Sequence, residues 1–307
     1  MAYTRNALLA LGIMCSVSSL AASPLSLYGK INLTAQHTDK GEGSYQELRS
    51  NASRFGVKGS GELNDSIEVF YQLEWAVDVA KESGSDNFKS RGQYVGFRGD
   101  FGTTMFGRED TINKEFTKRI DLFNDYEADF GSLWKGEVRS SNALFYYTPT
   151  WNNLGAAVTY ILSDSPEQNN GISSGVFYGD AKLNKSPFYA AILVDREMQN
   201  KGVAYDVERV ALQTRQGPFL LGAIYHQEKP SEGGVRQKGF MVNGQYSWQR
   251  WDLKLQHQSL EDDQSTSLGI DRHLSKTTKL FTFYTYRELE TKANADKFLA
   301  LGVEHRF

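Results

Sequence analysis

Charged residues of both signs crowd into one stretch of the chain, between positions 109 and 129. This stretch holds seven acidic and three basic residues, and it contains no histidine or cysteine. Charges of this kind need no catalytic geometry, and along an aqueous passage they can tune which ions cross it. Taken alone, the stretch fits an ordinary solvated loop as well as it fits the lining of an ion-selective passage.

Motifs for enzyme chemistry are missing elsewhere in the sequence. The HExxH, GxSxG and P-loop patterns and cysteine pairs do not occur, and the five histidines lack metal-ligand spacing. The sequence predicts no enzyme, no cofactor and no metal site. Its formal net charge of -3 gives no basic footprint, so nucleic acid is not an expected partner.

Outside this stretch, polar and apolar residues alternate with a period of two along much of the chain. Residues 25–36 and 66–79 place apolar side chains on one face and polar side chains on the other, as strands do. About sixteen such segments are separated by turn signals, and several are longer than the ~5–6 residues usual in soluble sheets. The alternate positions that we expect to face the inside carry charges such as Lys58 and Glu68. A water-filled lumen accommodates such charges, but a dry core does not.

The first 22 residues have the three parts of a secretory signal. Arg5 precedes an apolar stretch, and small residues allow cleavage after Ala21 or Ala22. We expect residues 23–307 to form a single domain without cysteine, since Cys15 leaves with the signal. The fold class predicted is all-β: a transmembrane antiparallel β-barrel of about sixteen strands.

Four segments carry a resemblance to a known family: 26–33 (SLYGKINL), 53–65 (SRFGVKGSGELND), 90–110 (SRGQYVGFRGDFGTTMFGRED) and the strand ending at Phe307. In order and spacing they resemble the general, non-specific porins of Gram-negative outer membranes. The resemblance implies passive diffusion of small hydrophilic solutes and ions. It also implies a constriction loop folded into the lumen, for which the segment of about 109–138 is the candidate.

The same resemblance assigns residues to the constriction. A basic wall is implied at Lys30, Arg54, Arg91 and Arg139, and an acidic loop at Asp121, Asp125, Glu127 and Asp129. Because the loop and the mature chain are acidic, we expect a weak cation preference.

Assembly and partners follow from the resemblance as well. Phe307 resembles the signal read by the outer-membrane assembly machinery. The protein is expected to sit among outer-membrane lipids as a homotrimer, with 81–88 as a candidate latch onto a neighbouring subunit.

Three alternatives stay open at this point. A saccharide-specific channel is suggested by Tyr126, Phe130 and Trp134 on the loop. An outer-membrane phospholipase would need a site such as the pair His257 and Ser259. A soluble exported β protein would be found in the periplasm.

Overall fold

The computed structural model describes residues 25–81, 87–200 and 202–307. The predicted signal lies outside this part of the chain, and so does most of the predicted latch. The strands are β1 Ser26–Asp39, β2 Ser44–Ser50, β3 Arg54–Asn64, β4 Ile67–Val77, β5 Phe88–Gly99, β6 Gly102–Asp110, β7 Arg139–Tyr147, β8 Leu154–Ile161, β9 Gly171–Tyr178, β10 Phe188–Asn200, β11 Val203–Gln216, β12 Phe219–Pro230, β13 Gln237–Trp248, β14 Trp251–Leu260, β15 Asp263–His273, β16 Thr278–Glu288 and β17 Asp296–Arg306. One helix, α1 Ile112–Thr117, and a 3₁₀ turn, Phe130–Ser132, lie between β6 and β7.

From β3 onward each strand pairs antiparallel with the next, and β17 pairs with β1, so the sheet closes on itself. Residues 33–39 of β1 pair with β2, and residues 26–30 of β1 pair with β3. These two strands therefore occupy a single position in the wall. The barrel therefore has sixteen strands, which confirms the predicted fold class and number. Closure pairs the strands of the wall on both sides, apart from β2, which among the described residues pairs with β1 alone.

Side chains alternate between the two faces of the wall, as the sequence pattern predicts. On β17, Leu299 and Leu301 are 54% and 65% exposed on the outer face, while Phe298 and Ala300 are buried on the inner face. The apolar outer face suits lipid. Phe70 breaks the alternation of its segment because it points inward, where it packs with Tyr94 and Met105.

The two ends of the barrel differ in the length of their connections. One end, here called the turn end, carries both termini of the described chain and connections such as 65–66, 100–101 and 217–218. The opposite end, the loop end, carries longer ones, of which 111–138 is the longest. Within the described residues, no helix is long and apolar enough to cross a membrane.

Candidate functional site: a charged gap in the lumen

The segment 111–138, here called the inner loop, packs against the inner face of the wall. Helix α1 lies against β8, β9 and β10. Further along, the loop backbone binds inward-pointing side chains of β13 and β14: Asn243 Nδ2 donates to Ile120 O at 2.6 Å, and Gln256 Oε1 accepts from Leu122 N at 3.0 Å. A segment bound to the inner faces of these strands occupies the lumen.

Glycines of the wall make room for the apolar side chains of the inner loop. At Gly222 on β12, an added Cβ would lie 2.7 Å from Ile120 Cγ2. At Gly269 on β15, it would lie 2.8 Å from Phe123 Cε1. Real Cβ atoms do not approach other carbons so closely, so these positions accept the loop only because they lack a side chain.

Trp134 fastens the far end of the inner loop. Its indole stacks on the His226 ring, with centroids 4.5 Å apart and planes 2° apart, and its Nε1 donates to Ser259 O at 2.8 Å. The Arg209 guanidinium lies 5.5 Å from the indole. It also forms an ion pair with Glu137 at 2.6 Å. Burial of the whole group makes these polar contacts costly to break.

Asp121 serves the inner loop's own fold. Its carboxylate accepts from the backbone nitrogens of Phe123 and Phe130 at 2.9 and 3.0 Å, and from Gln256 Nε2 at 2.8 Å. Burial raises the pKa of Asp121 well above its usual value, and the nearby charge of Asp129 adds to the shift. The predicted acid at this position is therefore mainly a loop-shaping group.

Asp129 has a similar local role. Its carboxylate accepts from the backbone nitrogens of Asp125 and Gly131 at 2.9 and 2.8 Å, and so caps the 3₁₀ turn. Burial, with the charge of Glu137 adding to it, raises the pKa of Asp129 to about 6. Asp129 therefore loses part of its charge in mildly acidic solution.

Asp125 is the acid that faces the basic wall. Its Oδ2 lies 2.9 Å from Lys30 Nζ and 3.4 Å from an Arg54 terminal nitrogen. Burial works against the charged form, but these two cations outweigh it and hold the pKa of Asp125 below its usual value. The backbone here is left-handed, with φ +75°, a conformation that aspartate and asparagine tolerate better than most residues.

The other two predicted wall residues find acids on neighbouring strands. Arg91 Nε lies 2.6 Å from Glu74 Oε1, and this carboxylate also lies 3.9 Å from Arg54. Arg139 lies 2.7 Å from Asp110 Oδ1. Lys30, Arg54 and Arg91 thus form a row linked by Asp125 and Glu74, and Arg139 pairs with β6.

One cavity of about 490 Å³, here called the gap, brings most of the predicted residues together. Its lining includes all four basic wall residues and three of the four predicted loop acids: Lys30, Arg54, Arg91, Arg139, Asp121, Asp125 and Asp129. Glu127 is absent from this lining. Its carboxylate lies 3.0 Å from Arg49 on β2, so it forms an ion pair away from the gap.

Arg119 lines the gap too, although neither the charge pattern nor the family resemblance assigned it a role. Its side chain is exposed, and no carboxylate of the described ranges lies within 4 Å of it. The sequence did show Arg119 as one of three bases in an acidic stretch. Summing the charges of the stretch does not distinguish Arg119 from the other bases, because only the fold shows which bases have acidic partners.

A saccharide-specific channel would need exposed aromatic rings along the gap on which sugars could stack. The three aromatic residues of the inner loop that suggested such a channel do not have this arrangement. Phe130 and Trp134 are 0% and 2% exposed, and they stack on one another with ring centroids 5.3 Å apart. Tyr126 lines the gap, but its ring packs on Phe281 and Phe283. These rings therefore anchor the loop to the wall.

Comparison with known proteins gives a consistent result. The profile of a family described as Gram-negative porin matches residues 7–292. Outer membrane porin protein 32 of Delftia acidovorans is 24% identical over 310 residues, covering 90% of this chain and 88% of that protein. A monosaccharide porin of Halomonas sp is 23% identical over 257 residues, covering 78% of this chain and 63% of that protein. The structure of an anion-selective porin from Comamonas acidovorans superposes with a TM-score of 0.78 at 19% identity, covering 93% of this chain and 100% of that one.

Proposed function

This chain belongs to the Gram-negative porin family, the channels of the bacterial outer membrane, and on that premise we propose that its gap favours small hydrophilic anions over cations. The family and the barrel point to a channel rather than an enzyme. Short connections mark the periplasmic side of such barrels, so the turn end faces the periplasm.

The charge lining the gap carries this proposal. Basic side chains outnumber acidic ones there: the bases are Lys30, Arg54, Arg91, Lys114, Lys118, Arg119, Arg139, Lys279 and Arg306, and the acids are Glu74, Asp110, Asp121, Asp125, Asp129 and Glu304. Burial further reduces the charge of Asp121 and Asp129 by raising their pKa values. An aqueous constriction with excess positive charge concentrates anions.

This proposal replaces the weak cation preference expected from the sequence. That expectation summed the charges of the acidic stretch, but the acids are largely paired in the fold. Asp110 pairs with Arg139 and Lys118, and Asp125 pairs with Lys30. Arg119 is left without such a partner in the described ranges, so it contributes its full charge to the gap.

The reversal potential of the purified protein in a planar bilayer, under a salt gradient, tests the proposal. We expect the sign of an anion-preferring channel, and a shift toward cations for Arg119→Gln. Arg250→Gln is the matched control, because Arg250 is exposed at the turn end, outside the gap. A cation-preferring reversal potential for the unmodified protein would refute the proposed selectivity.

A saccharide-specific channel is the weaker candidate. One relative is named a monosaccharide porin, yet the loop aromatics of this chain are engaged with the wall rather than arranged along the gap. Swelling of proteoliposomes in isosmotic sugars would separate the two: a general channel sorts sugars by size alone, and a specific one prefers particular sugars.

We further propose that Phe307 is read by the outer-membrane assembly machinery and that the folded barrels associate as homotrimers among outer-membrane lipids. In support of the role of Phe307, this residue helps to close the barrel: Gly29 N donates to Phe307 O at 2.9 Å, and Phe307 N donates to Gly29 O at 3.1 Å. Deletion of Phe307 is expected to lower the yield of folded trimer on unheated gels. An unchanged yield would contradict the assembly role.

A further inference from the structure

A second cavity, of about 380 Å³, lies where the inner loop meets the connection 179–187 at the turn end. Phe116, Phe177 and Tyr189 line one part of it. Another part is lined by the bases Arg119, Lys182 and Lys185, with the acids Glu115 and Asp180 beside them. Cavities that bind small molecules are typically apolar with a few charged or polar groups that orient the ligand. This cavity, here called the turn-end pocket, has that composition.

The aromatic part of the turn-end pocket is already in place. The Phe116 and Phe177 rings meet edge to face, with centroids 4.8 Å apart and planes at 75°. Tyr189 is 2% exposed, and its hydroxyl donates to Phe116 O at 3.0 Å, which fixes the end of α1 against β10. A ring entering the pocket would meet surfaces that need little rearrangement.

The lining of the pocket holds three bases and two acids, and both acids, Glu115 and Asp180, already have partners. Glu115 forms an ion pair with Lys118. The Asp180 carboxylate accepts from the backbone nitrogens of Lys182 and Lys185, both at distances below 3 Å. The Lys182 and Lys185 side chains are exposed, and within the described ranges no carboxylate lies within 4 Å of their ammonium groups.

Arg119 belongs to the lining of both the gap and the turn-end pocket. A solute that leaves the gap toward the periplasm therefore reaches the pocket while still near a cation. We propose that the turn-end pocket binds small organic anions that carry an aromatic ring, with the ring on Phe116 and Phe177 and the anionic group at Lys182 and Lys185. This inference goes beyond the selectivity of the gap and does not depend on it.

Fluctuations of the ion current through single channels in a planar bilayer test the proposal. Phenylacetate is the probe, acetate lacks the ring, and phenylacetamide keeps the ring but lacks the charge. Each is added in turn to either side of the membrane, and the dissociation constant is taken from the concentration dependence of the blocking events. We expect binding of phenylacetate to be at least about threefold tighter than that of either control compound.

The double variant Lys182→Gln/Lys185→Gln removes two of the three bases of the pocket and leaves Arg119, which also lines the gap, unchanged. It should weaken phenylacetate binding about threefold to tenfold and leave the reversal potential unchanged. Lys276→Gln is the control, an exposed lysine in another connection of the turn end. Equal binding of phenylacetate and acetate, or of phenylacetate and phenylacetamide, would overturn the proposal. So would a double variant that binds phenylacetate as well as Lys276→Gln does. Because reversal potential is recorded on the same channels, failure of the pocket and failure of the anion-selective gap give different results.

Discussion

The two sides of the inner loop use polar groups in opposite ways. Toward β11–β15, buried side chains such as Arg209 and Gln256 bind the loop backbone and hold it in place. Toward β1 and β3, the carboxylate of Asp125 remains accessible to the gap and pairs with Lys30 and Arg54. One side therefore fixes the position of the loop, and the other sets the charge that a passing solute meets.

Asp121 and Asp125 show the contrast within four residues of sequence. Burial and the hydrogen bonds of the loop make Asp121 a structural group with a raised pKa, whereas two cations lower the pKa of Asp125. An aspartate thus maintains the fold of the inner loop at one position and affects the ion selectivity of the gap at the other. Substitutions should separate the two roles.

The largest effect is expected from Trp134→Ala, which removes the stack on His226 and the hydrogen bond to Ser259. Truncating a buried aromatic residue of this kind should lower the free energy of unfolding by about 3–5 kcal/mol. Urea unfolding in lipid vesicles measures this loss, and single-channel recordings should show added noise as the loop end loosens. Val235→Ala, at a position 83% exposed, should change stability by less than about 0.5 kcal/mol. Equal stability of the two variants would mean that Trp134 is not an anchor.

Asp121→Ala is expected to have the next largest effect, because it leaves the backbone nitrogens of Phe123 and Phe130 without an acceptor in a buried place. The cost should be about 1–3 kcal/mol in the same unfolding measurement. Asp121→Asn keeps one acceptor oxygen and should recover much of this loss. If both variants were as stable as the parent, the carboxylate would not shape the loop.

Asp125→Asn should alter selectivity with little change in stability, since asparagine accepts the left-handed backbone. Removing the carboxylate frees Lys30 and Arg54 to act on solutes. We expect the ratio of anion to cation permeability to rise roughly twofold to fivefold, as ~0.5–1 kcal/mol of electrostatic energy would produce. The reversal potential reports it, with Glu127→Gln as the control acid outside the gap. An unchanged ratio would remove Asp125 from the gap's selectivity.

The smallest effect is a pH dependence that comes from Asp129, whose pKa is raised to about 6. As the pH falls from above to below this value the carboxyl gains a proton, so the gap loses negative charge and its anion preference should increase. The increase should occur around pH 6 in reversal potentials taken across a pH series. Asp129→Asn should show the low-pH value throughout. A step of unchanged size in that variant would assign the titration to another group.

The barrel could be predicted because the pattern that determines it lies within short segments of the sequence. Alternation along each segment reports which face meets water, and closure into a wall of sixteen strands follows from length and repetition. Of the basic wall residues, Lys30 lies on the inward-facing alternation of β1, and Arg54 and Arg139 begin β3 and β7. Arg91 reaches the gap at an irregularity in the pairing of β4 with β5. All four were assigned from the resemblance of their motifs to the family, which requires no knowledge of distant partners.

The details of the inner loop could not be predicted in this way, because they depend on pairs that are far apart in sequence. Asp121 meets Gln256, and Trp134 meets His226, only after the barrel has formed. No local pattern distinguishes Asp121 from Asp125. The same holds for Gly222 and Gly269, whose lack of a side chain matters only because the loop rests on them.

The pairing of β1 with β17 has a consequence for the order of folding. Lys30 pairs with Arg306, so this seam joins the two ends of the described chain. Closing a loop of that length costs on the order of 5 kcal/mol of chain entropy. The seam cannot form before β17, the last strand, has joined the sheet. Until then the growing sheet has two open edges that could pair with other strands or other chains. The reciprocal bonds between Gly29 and Phe307 complete the seam at its outermost residues, and they end the period during which the nascent sheet can aggregate.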